Sequence, residues 1–171
     1  MKKAAWVLLL VAALILLAMQ SCKPKPKWIV IRNFQKNKDS FVTVAEYIES
    51  FEWEGNSFGF GTSSKGRIQF RYPDGIVDTE MLGIHGGVAQ SVYSLLRKLG
   101  YQNIERTRAS KNTIIFEVKP QYLSWEYYNQ GICYVIDGGE PTPELNLDYY
   151  TEYIEPLGDN WYYWNGHCYF P

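Results

Sequence analysis

Ser64-Lys65-Gly66-Arg67-Ile68-Gln69-Phe70-Arg71-Tyr72 is the stretch whose pattern decides the fold class. Ile68, Phe70 and Tyr72 alternate with Gln69 and Arg71, the period of a strand with one face in a core. The Ser63-Ser64-Lys65-Gly66 segment predicts a turn that lays Ser57 to Thr62 back against it, so the unit is a hairpin. A Ser-Lys-x-x-Ile-x-Phe pattern returns 46 residues later in Ser110-Lys111-Asn112-Thr113-Ile114-Ile115-Phe116. There Asn103 to Arg108 and Thr113 to Lys119 predict a second hairpin about Ala109-Ser110-Lys111-Asn112.

A helix signal stands before each hairpin. Thr43-Val44-Ala45-Glu46 has the form of a capping box, and Val44, Tyr47, Ile48 and Phe51 follow at helical spacing, which predicts a helix over about 44–53. Glu54-Gly55-Asn56 ends it. Val88, Val92, Leu95, Leu96 and Leu99 mark a second helix, with Asp78 available to cap what precedes it and Gly100 suited to a left-handed C-terminal cap. The chain therefore reads as two helix–hairpin units, 43–72 and 88–119, arising by duplication or as two independent hairpins.

The flanks extend the sheet. Trp28-Ile29-Val30-Ile31 predicts a first strand, and Ile132 to Ile136 another that ends at Asp137-Gly138-Gly139. Tyr149 to Ile154 and Trp161 to Trp164 predict a last hairpin around Leu157-Gly158-Asp159-Asn160. The expectation is one α+β domain over 28–171. Its sheet is mainly antiparallel, with two helices on one face and an aromatic-rich hairpin region at the C-terminus.

Ahead of this domain, Lys2 and Lys3 precede an unbroken apolar run from Ala4 to Met19, and Ser21 stands directly before Cys22. This is the layout of a signal peptide over residues 1–21, and Ser21-Cys22 resembles the lipobox of bacterial lipoproteins. Met19 and Gln20 stand where that family usually has Leu and a small residue. The resemblance covers the N-terminus alone and implies a lipidated Cys22 as the first mature residue. Sixteen helical residues reach about 24 Å, short of the roughly 30 Å hydrocarbon core. Lysines at 23, 25 and 27 also oppose the positive-inside tendency for an uncleaved anchor. Residues 22–27 then form a Lys-Pro tether.

Bulk composition excludes several classes. The chain holds 17 basic and 18 acidic residues, so no basic excess favours nucleic acid. Aromatics make up 16% and gather after Gln121, where they can build either core or contact surface. With Cys22 assigned to lipid, Cys133 and Cys168 remain. They form either a bridge, stabilising the fold by about 4 kcal/mol in the chain-entropy picture, or two buried thiols; the bridge is the expectation.

One catalytic constellation is present on paper. Gly55-Asn56-Ser57-Phe58-Gly59 matches the nucleophile pattern G-x-S-x-G, and Asp137 and His167 complete a serine–acid–histidine order. A helix precedes Ser57 where a strand is needed, and the His85-Gly86-Gly87 segment follows Ser57 instead of preceding it. His85 and His167 alone cannot make a common zinc site. Gly59-x-Gly61 lacks the strand–turn–helix setting of a dinucleotide site, so no cofactor or metal is expected.

These features lead to an expectation of a membrane-anchored bacterial envelope protein, periplasmic or at the outer membrane. It would bind an envelope protein or a glycan without catalysing a reaction; one form is an immunity-type lipoprotein that neutralises a toxin. The expected contact residues are Trp125, Tyr149, Tyr153, Trp161, Tyr162 and Trp164. A small serine hydrolase using Ser57, Asp137 and His167 is the alternative.

Overall fold

A computed structural model describes residues 6–7, 10–11, 25–51, 57–63, 67–72, 75–78, 84, 86–107, 112–118, 121–123, 126–141 and 150–169. Helices α1 (Lys27–Lys36) and α2 (Lys38–Glu49) come first, then strands β1 (Ser57–Thr62), β2 (Ile68–Tyr72) and β3 (Gly75–Asp78). Helix α3 (Gly86–Tyr93) runs on through a π-helical turn, Ser94–Lys98. Six strands follow: β4 (Tyr101–Thr107), β5 (Thr113–Val118), β6 (Gln121–Leu123), β7 (Glu126–Val135), β8 (Tyr150–Gly158) and β9 (Trp161–Tyr169). The strands form one antiparallel sheet in the order β3-β2-β1-β4-β5-β7-β9-β8, with β6 beside β7.

The α+β class holds, with three helices against one face of the sheet. The third is the correction. Trp28 to Ile31, expected as a strand, is the start of α1, because Val30 and Phe34 sit one turn apart and both enter the core. Burial of that pair overrides the β preference of a short branched run. Pro26 sits just outside the helix, and its carbonyl accepts from Ile29 N at 2.9 Å.

Asn37 divides α1 from α2. Its backbone leaves the helical region at φ −126°, and its side-chain Nδ2 donates to Asn33 O at 2.8 Å, closing the end of α1. Helix α2 therefore starts at Lys38, with Asp39 favourably placed in its first turn. Thr43-Val44-Ala45-Glu46, expected as the start, lies inside the helix, since Phe41 must also reach the core. The helix stops at Glu49, and Ser50 Oγ donates to Tyr47 O at 2.7 Å. Asp78, expected as a cap, pairs in β3 opposite Gln69.

Phe41, Val44, Ile48, Val92 and Leu95 pack on Phe58, Phe60, Phe70, Ile104, Ile114, Phe116 and Ile132, the alternate residues of the strands beneath. Trp161 lies in the middle of this layer, its ring 5.1 Å from that of Phe34 and 4.8 Å from that of Tyr134. The π turn adds one residue per turn at the end of α3, with Leu99 N bonding Ser94 O, and this lets Leu95 and Leu96 both be buried. Gly100 then takes φ +75°, the left-handed cap expected there.

Strands β1 and β4 pair with Gly59 opposite Glu105, residues 46 apart, the spacing that also separates the two Ser-Lys-x-x-Ile-x-Phe patterns. The two helix–hairpin units thus flank a local twofold between β1 and β4. Ile68 and Phe70 on one side match Ile114 and Phe116 on the other, all touching the same core.

Candidate functional site

The register decides what the sequence-derived sites can be. Opposite Cys133 on β9 is Tyr162, and Cys168 lies six residues further on, opposite Tyr127. That is about 20 Å of strand, against the roughly 7 Å between Cα atoms that a disulfide spans. Cys133 is a buried free thiol, and the expected bridge is not formed.

The same rows separate the serine, aspartate and histidine. Ser57 adjoins the row Phe58–Arg106–Ile114–Tyr134–Trp161. His167 is six residues beyond Trp161, about 20 Å along β9. Asp137 lies past the other end of β7 and is engaged in its own turn, accepting from Asn112 Nδ2 at 2.6 Å and from Gly139 N at 3.2 Å. The three residues cannot share a proton.

Of the six aromatic contact residues, Tyr153 is 44% exposed and Tyr162 is half-buried with its hydroxyl near Gly139 O at 3.3 Å. Trp161 and Trp164 are each 2% exposed and belong to the interior, which removes them as surface contacts. Three residues apart on a strand, they point to opposite faces, and both faces are covered there. Trp125, Tyr149, Cys22 and His85 lie outside the described residues.

Two polar arrangements take their place. The first joins the start of α1 to the edge strand β8. Lys27 Nζ donates to the Glu155 carboxylate and to Tyr153 OH at 3.2 Å, and lies 4.5 Å from the Tyr153 ring centroid. Tyr153 OH donates in turn to Glu155. Hydrogen bonding to Glu155 holds the Lys27 ammonium above its ordinary range, and Lys27 in turn holds Glu155 below the usual carboxylate value. Behind them Tyr163 OH donates to Gln130 Oε1 at 3.0 Å, and Gln130 Nε2 donates to Lys25 O at 2.8 Å.

The second lies on the sheet face away from the helices. The row Gly61–Asn103–Glu117–Gly131–Trp164–Ile154 crosses six strands. Asn103 Nδ2 donates to Glu117 Oε2 at 2.7 Å. At Gly131 a Cβ would fall 2.0 Å from Phe116 O and 3.1 Å from Trp164 Nε1, so glycine is required there for space. Asn103 Oδ1, both amide atoms of Asn129 and Trp164 Nε1 are buried without a hydrogen bond. This strip offers donors and acceptors but no paired nucleophile and base among the described residues.

Sequence reasoning missed both. Glu117 sits on the outward phase of an alternating strand, yet β5 is buried along its whole length. Nothing local marks Lys27 as a partner of Glu155. Among the described residues no three metal-ligating side chains converge, and no helix is long and apolar enough to cross a membrane. No protein-family model, curated protein or solved structure matches the chain.

Proposed function

We propose that the protein is a lipid-anchored component of the bacterial cell envelope, acylated at Cys22, that acts by binding another envelope protein or a glycan. The observation that carries this reading is the contrast at the N-terminus. The described leader residues Trp6, Val7, Leu10 and Val11 present exposed apolar side chains and belong to neither core cluster. From Lys25 onward the chain is tied into the fold. An apolar leader that the domain does not bury suits a segment destined for membrane insertion and removal.

Binding is assigned to the edge around Tyr153. Strand β8 ends the sheet and carries two register shifts, at Thr151/Tyr153 and Pro156/Gly158, with Pro156 between pairing positions. Such irregularities oppose strand addition by another chain. Contact therefore falls to side chains, with Tyr153 as the aromatic element.

Mass spectrometry of the mature N-terminus tests the anchor: an acylated Cys22 is expected, and an intact unacylated Met1 overturns the reading. A photo-crosslinker at position 153 in intact cells tests the surface, with position 137 as reference. A specific adduct from 153 alone supports it. Equal adducts at both positions together with flat glycan-array binding overturn it.

A further inference from the structure

Lys25 is fixed at both ends. Its Nζ donates to Leu99 O at 2.9 Å, beside the left-handed Gly100, and its carbonyl accepts from Gln130. Burial pushes its ammonium below the ordinary lysine range, as befits a side chain seated on the fold rather than extended into water. Two residues, Lys23 and Pro24, stand between this point and Cys22. Three residues of extended chain span about 10 Å. An acylated Cys22 would hold the start of α1 within about that distance of the headgroups, far closer than the six-residue tether expected from sequence.

Helix α1 begins two residues after Lys25 and has two distinct sides. Val30 and Phe34 enter the core, while Trp28, Arg32, Gln35 and Lys36 are exposed. The helix contains no acidic residue. Trp28 is 58% exposed, and the Arg32 guanidinium sits 4.8 Å from its ring centroid. Arg97 and Lys98 are exposed on the turn that supplies the acceptor for Lys25. Asp39, in the first turn of α2, is the acidic side chain next along the chain, and Glu155 is engaged by Lys27.

We propose that this surface, Trp28, Arg32 and Lys36 with Arg97 and Lys98, rests on the anionic lipid headgroups of the membrane that holds Cys22. The domain is then held in one orientation by two contacts, an acyl anchor and a basic, tryptophan-bearing helix face. The chemistry fits: an indole prefers the headgroup level, and basic side chains are drawn to an anionic surface within a Debye length. A single lipid chain gives marginal attachment, and a basic patch is a recognised second contribution. This inference rests on the lipid-anchored reading above.

The test uses the mature full chain, its acylation verified by mass spectrometry, in vesicles of phosphatidylcholine with or without phosphatidylglycerol. Tryptophan quenching by lipids brominated near the headgroup is compared between the wild type and Trp28→Phe. Anionic vesicles are expected to show a quenched component that is lost in Trp28→Phe. They should also lose most of it in the double variant Arg32→Glu, Lys36→Glu, which still sediments with the vesicles. Acylated protein that sediments but shows no Trp28-dependent quenching overturns this inference alone, as does quenching indifferent to lipid charge and to the double variant. An unacylated N-terminus overturns both readings.

Discussion

At Cys133, burial pushes the thiol up to about 12, so it carries no thiolate character at neutral pH. The native protein should therefore withhold this thiol from maleimide and release it in denaturant without reductant. A non-reducing mass two protons light would contradict the register-based separation of Cys133 from Cys168. Gly131 makes a steric prediction. A methyl group there meets the Phe116 carbonyl at 2.0 Å, so Gly131→Ala should cost about 3 kcal/mol in urea unfolding. Gly59→Ala, facing Ile104 O at the same distance, should behave alike. Gly87→Ala, with open space around it, is the control and should change little.

Among the elements, α1 depends most on packing. Phe34 holds it to Trp161 and Phe41, and Phe34→Ala should cost about 3–5 kcal/mol in chemical denaturation. The β8–β9 turn depends on backbone conformation. Asp159 and Asn160 both have positive φ, 50° and 64°, the two-residue loop that follows strand twist. Asn160→Gly should be tolerated, whereas Asn160→Val should cost about 1–2 kcal/mol, read by thermal unfolding. This hairpin was legible in advance because turn chemistry is local. So were β1/β2, β4/β5 and the long helix, each carrying its own periodicity. Helix α1 was not, because Trp-Ile-Val-Ile favours a strand until Phe34, one turn beyond, is seen to share a core with Val30. Burial of Trp161 and Trp164 was hidden for a related reason: cover for the second sheet face comes from segments distant in sequence. The row from Asn103 to Trp164 is assembled from four strands, and no spacing within one strand reveals it.

Across the whole molecule, Lys27 and Glu155 tie the first helix to the edge of the sheet. Glu155 titrates below its ordinary value in the folded protein, so its contribution is present above pH 4.5 and is lost as pH falls through the folded value. Lys27 titrates above 10.5, so its contribution is present below that value and is lost as pH rises through the folded one. Between these limits the link is intact. Wild type and Glu155→Gln should differ in melting temperature at neutral pH and converge as pH drops below the carboxylate range. A constant difference throughout would detach Glu155 from this role.

The joining of α1 to the last hairpin also has a consequence for biogenesis. Lys38 reaches Asp159 at 2.7 Å and Phe34 packs on Trp161, so residues near the beginning wait for partners more than a hundred positions downstream. A chain threaded through a secretion pore from its N-terminus cannot complete this closure while its tail is still on the near side. Its native contacts are of the late-forming, non-local kind, and until the final hairpin has emerged, α1 lacks the surface that would lock it. The order of the elements therefore keeps the chain export-competent during passage and confines completion of the fold to the far side.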